Sequence, residues 1–219
     1  RYISMIKLTI PTSLKDITLR DYKKFLDVEK ENKDDRFLNA KLIHIFCKVS
    51  LEKVMLLELN DAEDIVKTIS DMFNEKPALV KKFKIGNTEY GFHPELDSMT
   101  LGEYIDLDTF IGDWDNMEKA MNVLYRPVLI SLKERYSIED YNVDTSAKAL
   151  DMPMDAVMSA IFFLWNLGIE LSTVMTNYLD SQEVELLTQH LSSQANGVGT
   201  EQFLHSLKAT LDDFKISLN

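Results

Sequence analysis

A chain of 219 residues, 45% hydrophobic and 27% charged, is the size of one large or two small domains and can bury a sizeable core. Its 24 basic and 36 acidic residues leave a net charge of −12, which argues against binding to nucleic-acid phosphates or to an anionic membrane, since no basic excess exists to displace counterions. A single cysteine, Cys47, excludes an intramolecular disulfide framework and fits a reducing compartment.

The opening RYISMIKLTIP has no apolar run followed by a small-residue cleavage site, so no secretory leader is expected there. Ile6 to Ile10 alternates apolar and polar residues, which predicts a half-buried strand stopped by Pro11. Thr18 is the predicted cap of a helix running to about Glu31, with Leu19, Tyr22, Phe25 and Leu26 inward. After the polar connector Lys30 to Asp35, a second helix directs Phe37, Leu38, Ala40, Leu42, Ile45 and Phe46 inward. Ser50 starts a short third helix, and Asn60 a fourth that carries Ile65, Ile69, Met72 and Phe73 at helical spacing.

Beyond Pro77 lies the clearest β pattern. Val80 to Ile85 and Thr88 to Phe92 flank Gly86-Asn87, a pair suited to a two-residue hairpin turn. An isolated hairpin is marginal in water, so the Ile6–Ile10 strand is expected to complete a small antiparallel sheet with it.

The stretch from Met99 to Pro127 is the centre around which the chain is organised. Thr100 with Glu103 three residues later forms a capping box, and Asp106-Leu107-Asp108 and Gly112-Asp113 lead to a second helix. That helix begins with Asp113 and Asp115 and is expected to end with Arg126 in its last turn, acid first and base last as the helix dipole favours. Val128 to Tyr136 reads equally as strand or helix. Asp144 or Thr145 begins a short helix, and Met154 the longest one, running to about Leu179. Its apolar residues (Val157, Ile161, Phe162, Phe163, Leu164, Trp165) nearly encircle it, which predicts burial from several sides. The apolar run Ala156 to Ile169 is shorter than the ~20 residues that span a bilayer. A further helix is expected from Asp180 or Ser181 to Leu191, then a linker from Ser192 to Gly199 and a terminal helix from Thr200. The apolar stripe Phe203, Leu204, Leu207, Leu211 and Phe214 on that last helix is the candidate partner-binding surface, unless it folds back onto its own core.

Two segments carry a resemblance. IKLTIPTSLKDITLRDYKKF (Ile6 to Phe25) and MTLGEYIDLDTFI (Met99 to Ile111), the latter followed by VLYRP, resemble a loosely defined group of proteins encoded among the structural genes of tailed bacteriophages. Members of that group are labelled tail-assembly or hub-assembly chaperones, or are uncharacterised. The resemblance covers roughly the first 130 residues and marks structural positions, so it transfers no active site. It implies partners among other phage structural proteins, with location in the host cytoplasm during assembly or in the virion. A homo-oligomer is compatible with it.

No catalytic or cofactor-binding pattern stands out. There is no phosphate loop, dinucleotide fingerprint or nucleophile elbow. His44 and Cys47 have the spacing of half a metal site, but the other histidines (His93, His190, His205) are scattered. The acids Asp106, Asp108, Asp113 and Asp115 lack the ligand register of a calcium loop and are read as caps and solvated turns. The expectation is an α+β protein, predominantly α, with a small antiparallel sheet near the N-terminal half and a helical C-terminal half. Residues 1–130 would form the α+β part and 131–219 a helical region packed on it. Its expected role is non-enzymatic: a tail or particle assembly chaperone without cofactor or metal. The alternatives are a stoichiometric virion component and, further off, a metal-dependent hydrolase built on the Asp106–Asp115 acids.

Overall fold

Thr18 opens the first helix as its sequence predicts, its hydroxyl accepting from the Asp21 amide at 3.2 Å. The computed structural model describes residues 8–133 and 135–179, with side chains to residue 171. Helix α1 (Leu19–Glu31) buries Leu19, Tyr22 and Phe25. Helix α2 (Asp35–Phe46) is capped by Asp34 and buries Leu38, Leu42, Ile43 and Phe46. Phe37, expected to point inward, is instead 37% exposed, with the Lys41 ammonium over its ring. Helices α3 (Leu51–Val54) and α4 (Leu59–Met72) complete this layer. Tyr22 joins it to the rest, its ring 5.5 Å from that of Phe73 and 4.9 Å from that of Trp114. Aromatic pairs at such separations add to their area burial.

The predicted hairpin is present. Strands β1 (Lys82–Ile85) and β2 (Thr88–Phe92) pair antiparallel, Phe83 opposite Tyr90 with rings stacked 5.7 Å apart. Gly86 takes φ +59°, which glycine adopts without the Cβ clash that other residues meet. After α5 (Leu101–Phe110), a 3-10 turn (Trp114–Asn116) and α6 (Met117–Leu124), the chain returns to the sheet.

The third strand is not the expected one. Residues 8–10 form no strand; Leu8 is half-buried, Ile10 is exposed, and Ile6 lies outside the described residues. The ambiguous segment after α6 supplies the pairing instead. Strand β3 (Tyr125–Leu132) pairs with β2 through Tyr125 to Pro127, then beyond a bulge near Val128 with β4 (Arg135–Ile138). The strand order is β1-β2-β3-β4. Eight residues linked to their own hairpin partner offer more ladder bonds than five residues ending at a proline. This sheet continues past residue 130 into β4.

Gly91 in β2 has no side chain for a specific reason. A Cβ there would meet Cε2 of Tyr136 at 2.4 Å, and the Tyr136 hydroxyl reaches across to donate to the Phe92 carbonyl at 2.6 Å.

A 3-10 segment (Val143–Asp151) leads to α7 (Met154–Leu179), the predicted longest helix. Its entry is pinned to that of α1 by a two-bond bridge, Leu19 N–H to Met152 O and Met154 N–H to Ile17 O. Ala156, Val157, Met158, Ala160 and Ile161 are fully buried. Phe162, Phe163 and Trp165 are only half-buried, and Ile169 and Leu171 are exposed. Met154–Leu171 is long and apolar enough to cross a membrane by length and composition, a longer window than the sequence suggested, and half of it is buried in the fold. Sheet and helix meet where the Tyr125 hydroxyl donates to the Val80 carbonyl at 2.7 Å and Ser159 Oγ accepts from the Val80 amide at 3.0 Å. The helix expected from Asp180, the linker and the Thr200 helix lie outside the described residues, as does the stripe Phe203, Leu204, Leu207, Leu211 and Phe214.

Candidate functional site

The capping box at the start of α5 forms in both directions. Thr100 Oγ1 accepts from the Glu103 amide at 3.3 Å, and Glu103 Oε2 accepts from the Thr100 amide at 2.7 Å. This turns the Glu103 carboxylate inward, where it is buried. Its other oxygen, Oε1, accepts from Arg126 Nη1 at 2.6 Å.

Arg126 is therefore not the basic end of a helix. Pro127 disfavours helical backbone in the residue before it, so α6 stops at Leu124 and Arg126 falls on β3, opposite Gly91. The chain gains a buried ion pair in place of a dipole contact. His93, just past β2, completes the cluster. Its amide donates to the Leu124 carbonyl at 2.7 Å, its Nδ1 accepts from the Glu95 amide at 3.3 Å, and its Nε2 lies 4.0 Å from Glu103 Oε1. His93, Glu103 and Arg126 are 7%, 4% and 6% exposed, so all three are internal.

Environment sets their charge. Burial opposes ionisation of Glu103, but the Thr100 hydrogen bonds and Arg126 outweigh it and hold the carboxyl below its ordinary pKa. Burial and then Arg126 depress the pKa of His93, against the opposing pull of Glu103, Glu95 and Asp97. Beside them, the Tyr141 hydroxyl donates to Asp106 Oδ2 at 2.7 Å, and burial together with that bond pushes the phenol's pKa upward.

With its glutamate inside, α5 turns three of its apolar residues outward. Leu101 is 75%, Tyr104 44% and Ile105 51% exposed, while Glu103 and Leu107 are buried. A buried charge beneath an exposed apolar patch is the informative departure from ordinary burial. Leu101, Tyr104 and Ile105 share one side of the helix by their three- and four-residue spacing. Exposed acids Glu95 and Asp97 precede this face in the chain. Apolar side chains are also exposed at the α3–α4 corner (Met55, Leu56, Leu59) and along β3 (Leu129, Ile130, Leu132).

Asp106, Asp113, Asp115, His44 and Cys47 have structural partners or buried surroundings, and Asp108 lies within α5. Asp113 caps the Trp114 turn by accepting from the Asp115 amide, Asp115 pairs with Lys30, and Asp106 holds Tyr141. His44 Nδ1 lies 2.6 Å from the Val49 carbonyl, and burial pushes the Cys47 thiol up to about 11. Among the described residues no three His, Cys, Asp or Glu side chains are grouped to hold a metal.

The α5 face was not singled out from sequence, although its signal is there. A capping box commits Glu103 to the helix N-terminus, and the leucine, tyrosine and isoleucine around it then cannot all face the core.

These features define a mixed α+β protein, predominantly helical, with an internal ion pair seating one helix whose apolar side faces outward. No family model, curated protein or solved structure matches the chain.

Proposed function

We propose that this chain is a non-enzymatic assembly factor of tailed-phage particles. In this reading it binds other structural proteins of the particle in the host cytoplasm, as an assembly chaperone does. The outward apolar face of α5 carries the reading. Glu103 fixes the rotation of the helix about its axis, so Leu101, Tyr104 and Ile105 are held in water as a ready contact surface. The acids beside it and the net charge of −12 favour a partner with an apolar anchor and a basic rim, and keep the complex soluble. The resemblance of the Met99–Ile111 segment to phage assembly proteins falls on this same helix. The stripe Phe203–Phe214 is a second contact surface in the same reading.

The double variant Leu101→Glu/Ile105→Glu tests it. Both positions are exposed, and a glutamate at the first helical position suits the dipole, so the melting midpoint should stay within about 2 °C of wild type. Each lost apolar anchor is worth about 1.5–3 kcal/mol, so affinity for particle structural proteins should fall by at least about a hundredfold. Unchanged capture of those proteins by the double variant would contradict the reading.

A further inference from the structure

We propose that His93 is a pH-sensitive latch: uncharged, it seats α5 against β3, and protonation releases α5 with the contact surface it carries. The effect on partner binding rests on the reading of α5 as a contact surface; the latch itself does not.

The hydrogen bonds at the ring decide its proton inventory. Nδ1 accepts from the Glu95 amide, so the single proton of the neutral ring sits on Nε2, facing Glu103. A second proton would have to go on Nδ1, where it would meet the Glu95 N–H and cost that hydrogen bond. It would also place a second cation beside Arg126, around a carboxylate whose oxygens already accept from Arg126 and Thr100. Glu95 and Asp97 on the following loop, the Asp106–Tyr141 pair, and Lys81, Arg135 and Tyr136 lining the same groove are the other ionisable groups around the cluster. Opening is the simpler response, because a solvated His93 takes its proton freely.

Protons can reach the ring. His93 lines an open groove of about 870 Å³ together with Phe92, Leu96, Arg135, Phe163 and Leu167. Because the folded ring binds its proton less readily than the exposed ring of the opened state, opening is favoured as pH falls below about 6.5 and is unaffected above it. Below that point the opening constant should approach a tenfold increase for each pH unit, until the folded ring itself protonates.

Amide hydrogen exchange across residues 101–110, corrected for intrinsic rates, reads the latch between about pH 7.5 and about pH 5. The expected result is steeply growing opening of α5 in the wild type below about pH 6.5, and a flat profile in His93→Gln, which keeps a donor and an acceptor but does not titrate. A wild-type profile as flat as the variant's, or an equal slope in both, would overturn the latch. Nitrogen NMR of the wild-type imidazole adds a readout that needs no variant. A neutral ring with its proton on Nε2 at pH about 7 is expected, and a ring protonated on Nδ1 would overturn the proposal. If exchange responds to pH while Leu101→Glu/Ile105→Glu leaves partner capture intact, the latch stands and the contact-surface reading fails.

Discussion

Replacing Arg126 by methionine is expected to cost about 3–5 kcal/mol, the usual result of removing one member of a buried ion pair. The loss comes chiefly from what remains. Glu103 would keep its charge inside the fold with hydrogen bonds from Thr100 alone and His93 Nε2 no closer than 4.0 Å, and α5 would be held over an uncompensated carboxylate. The double variant Glu103→Met/Arg126→Met removes both charges and should recover much of that loss, although the reciprocal half of the capping box goes with Glu103. Urea denaturation of wild type, both single variants and the double variant supplies the complete cycle. A cost below about 1 kcal/mol for Arg126→Met would mean that the pair is solvated and does not seat α5.

Ile161→Ala is expected to cost about 2–5 kcal/mol, since the side chain is fully buried in the first half of α7 and its removal leaves a cavity. Trp165→Ala removes more atoms but should cost less, because Trp165, one turn further along, is only half-buried. This order reverses what size alone predicts. If Trp165→Ala proves the more damaging, the hydrophobic centre of α7 lies further toward its C-terminal end.

That contrast also marks what the sequence reveals and what it hides. The caps at Thr18 and Thr100 and the Gly86-Asn87 turn were legible because each is decided within four residues. The strand expected at Ile6–Ile10 was not found over residues 8–10, because alternation shows that a segment can pair but not which competitor takes the partner. Nothing near Val128 announces that it belongs beside Gly91, where the Tyr136 ring fills the space that a side chain would need. Apolar residues nearly encircle α7 from Val157 to Trp165, yet burial fades between Ile161 and Leu171, because depth depends on which elements reach each turn. The helical expectation for Arg126 fails for a local reason: Pro127 disfavours a helix at that position. The candidate site was the least legible part. Seeing it required knowing that Glu103 has a buried partner 23 positions away in the chain.

The most direct measurement is the reactivity of a thiol placed on the outer face of α5. Cys47 is buried and its thiol is pushed up to about 11, so in an I105C variant the introduced thiol is the one able to react quickly. The isolated protein should label near the rate of a free cysteine and be strongly protected once particle structural proteins are added. Slow labelling of the isolated protein would contradict this, because the face would then already be covered by the chain itself.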